Sequence, residues 1–271
     1  MIDREDYEEP RCLLCMEKEC AVSPIPVGRV IEKLDAYYER NDVSGAERHL
    51  LYWLNEAISG NDKKGEFTVR EELMGHYRKQ GIKDKAIENA DKVYSLIKEL
   101  GIEDTVGAGT ACLNIGTVYK AFSRPKESIL YFYKAQDIYE KSLNKNDERF
   151  GGLFNNMALT LVDLKEFNKA YEYFFKAIDV VKKSPFGMPD VAISYLNLCT
   201  AKETEKGIAA AKEEIEGYLE KAKENLDDSN NKRNGYYAFV CSKCAPGFIY
   251  YGLKGYGEEL KSRAKEIYER A

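Results

Sequence analysis

Apolar and small residues recur three and four positions apart along most of the chain, and the pattern is clearest between Gly151 and Ser184. This spacing places such residues on one face of an α-helix. The pattern comes in two blocks, separated at 163–168 by a polar segment that is typical of a short turn. The apolar positions are Phe154, Met157, Ala158 and Leu161 in the first block and Ala170, Phe174, Ala177 and Val181 in the second. The stretch therefore predicts a hairpin of two helices, each with one apolar face.

The pattern repeats along the chain at nearly constant intervals. The counterparts of Phe154 are Cys112, 42 residues earlier, Arg70, another 42 residues earlier, and Tyr195, 41 residues later. A single hairpin leaves its apolar faces exposed, so it needs a copy on either side to bury them. We therefore expect an all-α array of helical hairpins over most of the chain.

The pattern resembles the tetratricopeptide repeat, in which small and aromatic residues occupy fixed positions of a helical hairpin. The standard repeat has about 34 residues, and the longer period here adds about one turn to each helix. Long repeats of this kind are similar to those of kinesin light chain and of Rap-type peptide receptors. Segments 113–116 and 155–158 are similar to the Asn-Asn-Leu-Ala signature of kinesin light chain. The resemblance implies a right-handed superhelical solenoid of antiparallel hairpins.

The resemblance divides the chain into two parts. Residues 1–26 lack the repeat and form an N-terminal arm with a cysteine cluster, Cys12, Cys15 and Cys20. Residues 27–271 form the solenoid. Its hairpins are expected at about 27–62, 67–100, 109–142, 151–184, 192–226 and 236–271.

Charge and composition narrow the possible partners and the compartment. The chain has 41 basic and 46 acidic residues and a net charge of −5. No basic block stands out, which argues against binding to nucleic acid. No apolar run approaches the length of a membrane span, and the acidic start of the chain lacks the apolar region of a signal peptide. We therefore expect a cytoplasmic protein that binds neither nucleic acid nor membranes and whose seven cysteines are mostly reduced.

Catalytic motifs are missing from the sequence. It contains no phosphate-binding loop, no nucleophile motif of the hydrolase type and no histidine-rich metal motif. Its many acidic residues fall on helix faces that are expected to be solvated. The sequence therefore predicts a protein that is not an enzyme.

The strongest candidate binding residues are asparagines. In tetratricopeptide arrays the first helix of each hairpin lines a concave groove, and the family's geometry turns the second, fifth, sixth and ninth residues of the repeat inward. By this count Asn114, Asn156 and Asn197 take the sixth position of three repeats, and Asn155 takes a fifth position. An amide offers both a donor and an acceptor, so these side chains suit the backbone of a bound peptide. Alternatively, they bond to neighbouring helices and hold the array together.

The other predicted groove residues are polar and of mixed charge. They are Glu72, Arg78, Thr117, Lys120 and Thr200. This set lacks the dense lysine and arginine residues that would clamp a C-terminal carboxylate. We therefore predict a scaffold that binds a protein or peptide through the groove, with an asparagine ladder on the peptide backbone.

Two pairs of cysteines have the spacing of zinc ligands. Cys12 and Cys15 lie in the N-terminal arm, and Cys241 and Cys244 fall in inward positions of the last hairpin. If the arm folded into the groove, four thiolates would form a structural zinc site. That arrangement would suit a zinc-stabilised sensor without its own output domain. Alternatively, the pairs never meet, the arm cysteines lie on the buried face of a short helix, and the protein has no cofactor.

A further alternative is self-association. The segment Tyr236–Tyr251 is aromatic on every side, and the segment around Trp53 is unusually apolar. Such surfaces are either buried or covered by a partner, here a second copy of the chain or, for the Trp53 segment, residues 1–26. Within the aromatic segment, Pro246 predicts a kink or a break in the helix.

Overall fold

The computed structural model describes residues 22–184 and 187–270. In these ranges the chain forms twelve α-helices and no strand, which confirms the all-α prediction. The helices are α1 (Val27–Glu39), α2 (Val43–Ser59), α3 (Lys63–Lys79), α4 (Lys83–Glu99), α5 (Val106–Ala121), α6 (Pro125–Ser142), α7 (Arg149–Asp163), α8 (Phe167–Lys182), α9 (Met188–Lys206), α10 (Lys212–Asp227), α11 (Gly235–Tyr250) and α12 (Lys254–Arg270).

Successive helices pair as hairpins, and the turns inside the hairpins recur at a nearly constant interval along the chain. Helix α3 packs on α4, α7 on α8, α9 on α10 and α11 on α12. The first helix of a hairpin is followed by a residue with positive φ, which reverses the chain. Gly81, Ser123, Lys165 and Gly207 have this conformation and are spaced 42 residues apart. The last interval, from Gly207 to Gly252, is 45 residues.

The helices form two compact units, Met1–Ile138 (unit 1) and Tyr139–Ala271 (unit 2), and the boundary falls within α6. Each unit has a core in which alanines alternate with large side chains. In unit 1 Ala86, Ala90 and Ala108 are fully buried beside Leu73 and Tyr77. Small residues let neighbouring helices approach closely, so the large residues fill the remaining space.

Gly116 shows how close this approach is in unit 1. A Cβ atom at this position would lie 2.6 Å from Cε1 of Phe132 on α6. The Ser128 hydroxyl donates a hydrogen bond of 2.7 Å to the carbonyl oxygen of Gly116, so backbone and side chain meet directly between α5 and α6. Glycine is required here because the aromatic ring occupies the space of a side chain.

The predicted break in α11 does not occur, because the helix continues through Pro246 to Tyr250. Cys244 and Phe248, on either side of the proline, are buried, and this packing holds the helix together despite the missing backbone donor. The Trp53 side chain is only 3% exposed and packs edge-on against His49 and Tyr52, so this ring is buried within unit 1.

Candidate functional site

Two of the predicted asparagines join neighbouring helices of unit 2. Asn155 on α7 donates from Nδ2 to Oγ of Ser194 on α9, at 2.7 Å. Asn197 on α9 donates from Nδ2 to Oδ1 of Asn155, at 3.3 Å. Ser194 in turn donates to the carbonyl oxygen of Asp190, at 3.1 Å. This chain of hydrogen bonds, which we call the amide row, links the first helices of two hairpins, and its two asparagines are half-buried.

The other two asparagines lie outside the amide row. Asn156 donates to the carbonyl oxygen of Gly152 in its own helix, at 2.9 Å. Asn114 belongs to unit 1, where it donates to the carboxylate of Glu71. The four asparagines therefore make three different kinds of contact.

A cavity of about 620 Å³ adjoins the amide row, near the starts of α7, α9 and α11. We call the surface formed by these three helices the A-face of unit 2. The cavity is lined by Asn155 together with, among others, Glu148, Gly151, Gly152, Asp190 and Tyr236. Gly152 exposes its backbone, whereas Gly151 is buried and packs closely on Val181. Of these residues only Asn155 was predicted, although a Gly-Gly pair at the start of a helix is a visible sequence signal.

Asp190 is the central polar group of this cavity. Burial raises the pKa of its carboxyl, the hydrogen bond from the Tyr236 hydroxyl lowers it, and the negative charge of Glu148 raises it again. The net effect is a pKa above the ordinary value. Burial and the bond to Asp190 also raise the pKa of Tyr236. The phenol therefore stays protonated and fixes the position of the carboxylate.

An aromatic ledge formed by Tyr236 and Phe239 continues from the cavity along α11. The two side chains are 49% and 46% exposed, and their rings stack with centroids 6.3 Å apart. The ammonium group of Lys243 lies 5.5 Å from the centroid of Phe239. The ledge gives the A-face of unit 2 an apolar patch beside its polar cavity.

Unit 1 carries a group of acidic side chains on α1 and α3, which Asn114 of α5 contacts. Burial raises the pKa of Glu71 to about 7, the charge of Glu72 adds to this, and the hydrogen bond from Asn114 opposes it. Burial also raises the pKa of Glu72, Lys79 lowers it and Asp35 raises it. Glu71 therefore carries a carboxyl group that changes charge near neutral pH.

The remaining predicted groove residues are less distinctive. Arg78 and Lys120 are half-buried on α3 and α5. Thr117 donates to the carbonyl oxygen of Leu113 at 2.9 Å, and Thr200 donates to that of Leu196 at 3.4 Å. Both threonines thus bond within their own helices.

The predicted zinc ligands divide between described and undescribed parts of the chain. Cys12 and Cys15, like Cys20, lie outside the described residues. Cys241 and Cys244 are reduced and fully buried in unit 2, not exposed in a groove. Burial raises the pKa of both thiols, to about 12 for Cys244. The described ranges contain no group of three or more histidine, cysteine or acidic residues arranged to hold a metal.

Comparison with known proteins identifies the fold. No protein-family profile and no curated protein matches the sequence. One similar structure contains the nearly identical TPR-like repeats of a Podosopora anserina protein provisionally named kinesin light chain. The two sequences are 14% identical, the alignment covers 76% of this chain and 96% of that chain, and the TM-score is 0.53. A variant of that protein aligns with 14% identity, 76% and 97% coverage and a TM-score of 0.54. BtubC (BKLC) from P. vanneervenii aligns with 16% identity, 90% and 89% coverage and a TM-score of 0.49.

The Podosopora structures confirm the predicted fold of TPR-like repeats, which is what similarity at this level of identity establishes. Among the helices of the described ranges, none combines the length and the apolar character needed to cross a membrane.

Proposed function

We propose that the chain is a protein-interaction scaffold and that the A-face of unit 2 binds an extended peptide. The observation that supports this most directly is the amide row of Asn155 and Asn197 beside an open cavity of about 620 Å³. TPR-like repeats place the first helices of successive hairpins side by side, which suits an extended ligand that crosses them. The proposed function is the binding of a peptide, with no catalysed reaction.

The amide row offers hydrogen-bonding groups that its internal contacts do not use up. Each side-chain amide has two N–H donors and an oxygen with two lone pairs. Asn155 gives one donor to Ser194 and accepts one bond from Asn197. A second N–H and a second lone pair therefore remain for the backbone of a peptide. In this proposal the internal bonds fix the orientation of the amides, which lowers the entropic cost of binding.

The cavity and the aromatic ledge add contacts for side chains. At Gly152 a Cβ atom would meet nothing within 4 Å, which leaves room for a ligand side chain in the cavity that Asp190 also lines. Tyr236 and Phe239 present stacked rings to an apolar or aromatic residue. A peptide that uses both features would bind through one buried side chain and one apolar contact, with its backbone on the amide row.

The test is a selection of random peptides with the full chain, followed by measurement of dissociation constants by fluorescence polarisation. Replacing Asn155 and Asn197 together by alanine should weaken binding of a selected peptide at least about tenfold, since two ligand hydrogen bonds are lost. Asn156→Ala is the matched control and should leave the affinity unchanged. Equal affinities for the wild type and the double variant, or no enriched peptide, would refute the proposal.

Self-association is a second candidate because the aromatic ledge is half exposed. In that case light scattering coupled to gel filtration should show a dimer whose population rises with protein concentration. Phe239→Ser would abolish the dimer, whereas Tyr268→Ser, which removes an exposed aromatic side chain of α12, would not. A concentration-independent monomer would remove this candidate.

A further inference from the structure

A second cavity of unit 2 is lined mainly by arginine side chains. It has a volume of about 390 Å³ and lies between the start of α11 and the last turns of α12. Among the described residues it shares only Asn234 with the cavity of the A-face. Its charged lining consists of three guanidinium groups and one carboxylate, from Arg233, Arg263, Arg270 and Glu266.

Arg263 is the fixed charge of this cavity. Its Nη1 donates to Oδ1 of Asp227 at 2.6 Å and to the Tyr237 hydroxyl at 3.1 Å, and its Nε donates to Oε1 of Glu259 at 3.1 Å. Burial lowers the pKa of Arg263, but these bonds outweigh it and hold the pKa above its ordinary value. The side chain is 15% exposed. Arg263 is therefore ordered, and Asp227 and Glu259 largely balance its charge.

Arg233 and Arg270 supply the other two positive charges, and the Glu266 carboxylate balances one of them. The guanidinium of Arg233 lies 5.7 Å from the ring centroid of Tyr237, a contact with the ring face that does not consume its N–H donors. Arg270 approaches Glu266 at 3.5 Å, and both of these side chains are mostly exposed. Exposed ion pairs of this kind contribute little and are easily exchanged for another anion. Both arginines can therefore turn their N–H groups toward a ligand.

The start of α11 adds donors on the same side. The Asn234 side chain accepts from the backbone N–H of Tyr237 at 3.0 Å, and its carbonyl accepts from that of Ala238 at 3.0 Å. The N–H groups of Gly235 and Tyr236 come before these capped positions, at the positive end of the helix. A Cβ atom at Gly235 would meet nothing within 4 Å, so the space in front of this turn is open.

We propose that this cavity binds a phosphoryl group, with Arg233 and Arg270 as its binding residues. Two guanidinium forks from different elements suit a tetrahedral anion, because its oxygens accept paired N–H donors from two directions. A carboxylate has only two oxygens and engages one fork fully. The ligand is either the free phosphate ion or a phosphorylated side chain. This site does not depend on peptide binding at the A-face.

The test follows the backbone amide of Gly235 and the Nε–H signals of Arg233 and Arg270 by NMR in the ¹⁵N-labelled full chain. The probes are inorganic phosphate, N-acetyl-phosphoserine methylamide and N-acetyl-glutamate methylamide, added at constant ionic strength. Both phosphoryl probes should give saturable shifts and bind more tightly than the glutamate probe. A tighter phosphoserine probe assigns the site to a phosphorylated side chain, and a tighter inorganic phosphate assigns it to the free ion.

Variants distinguish specific phosphoryl binding at this cavity from nonspecific electrostatic attraction. Arg233→Gln and Arg270→Gln should each weaken phosphoryl binding about tenfold, the effect of losing one charged hydrogen bond. Arg233→Lys keeps the positive charge but lacks the planar guanidinium. Its affinity for the phosphoryl probes should lie between those of the wild type and Arg233→Gln. Arg149→Gln, which removes an exposed arginine elsewhere in unit 2, should change nothing. Shifts that do not saturate, that persist equally in the Gln variants, or that are matched by the glutamate probe would overturn the proposal.

Discussion

Asn197 donates a hydrogen bond to Asn155 across two helices, and the two residues are 42 positions apart in the chain. The same interval separates the turns at Lys165 and Gly207. Side chains that are one repeat length apart in the sequence are thus in contact between neighbouring hairpins. These amides have a structural role and, in our proposal, also a role in recognition.

We expect the amide row to contribute little to the free energy of unfolding. Replacing Asn155 and Asn197 together by alanine should lower the free energy of unfolding by about 1–2 kcal/mol, since two neutral hydrogen bonds are lost. Asn156→Ala should change it by less than about 0.5 kcal/mol, because alanine is the better helix former and the lost bond is local. Urea denaturation followed by circular dichroism checks both values. A cooperative collapse of the double variant would mean that the row serves the fold alone.

The close approach at Gly116 predicts a strong effect of one methyl group. Gly116→Ala places a Cβ atom 2.6 Å from the Phe132 ring and should destabilise unit 1 by about 1–3 kcal/mol through overpacking. Gly75, inside α3, has nothing within 4 Å of a Cβ atom. Gly75→Ala should therefore stabilise the protein by about 0.5–1 kcal/mol. Thermal melts of the two variants should shift in opposite directions, and a shared direction would contradict this account.

The turn at Lys165 carries strain that glycine would remove. Lys165 has a φ of 63°, a left-handed conformation that is unfavourable for residues with a Cβ atom. Lys165→Gly should raise stability by about 0.5–1 kcal/mol, which is the relief of strain less the greater freedom of glycine when unfolded. Gly81→Ala, at an equivalent turn with a φ of 71°, should lower it by about 1 kcal/mol. Calorimetric melting temperatures of both variants test the assignment.

Stability should fall as the pH rises from the ordinary pKa of a glutamate, 4.5, to about 7. The carboxyl of Glu71 has an ordinary pKa of 4.5 and a folded pKa of about 7, so the folded state holds this proton more tightly than the unfolded state. Between these values unfolding releases a proton, and the free energy of unfolding decreases by about 1–3 kcal/mol in all. Above about pH 7 the penalty is complete.

Glu71→Gln isolates this effect. The glutamine keeps an oxygen that can accept from Asn114 but cannot ionise, so the decrease between about pH 5 and about pH 8 should become smaller. It should not vanish, because the pKa values of Glu72 and Asp190 are raised as well. Urea midpoints at the two pH values provide the measurement. An unchanged pH dependence in the variant would show that Glu71 titrates normally.

The sequence predicts the hairpin architecture well because the period of 42 residues is written in both the apolar faces and the turns. The repeat count gives Asn197 the same position as Asn156, whereas the residue that Asn197 contacts is Asn155, one position earlier. Leu153 and Phe154 are both buried, so either can be matched to Tyr195, and the count favoured an interval of 41. One residue rotates a helix by about 100°, which moves a side chain from one face to another.

The sequence pattern does not predict the last hairpin or the cavity correctly. The last interval between turns is 45 residues, so positions in the final hairpin do not carry over from earlier repeats, and Cys241 and Cys244 are buried instead of facing a groove. The cavity brings Glu148, Asp190 and Tyr236 together from three helix starts. No local motif joins such residues, because their proximity depends on how the hairpins pack.

Peptide binding at the A-face is tested best by the NMR response of the asparagine side-chain amides to a selected peptide. The NH₂ signals of Asn155 and Asn197 should shift in a saturable way, together with the backbone amides of Gly151 and Gly152. The NH₂ signals of Asn156 and Asn114 should remain unchanged. A peptide that binds while the signals of Asn155 and Asn197 stay in place would contradict the account and move the binding site to another surface.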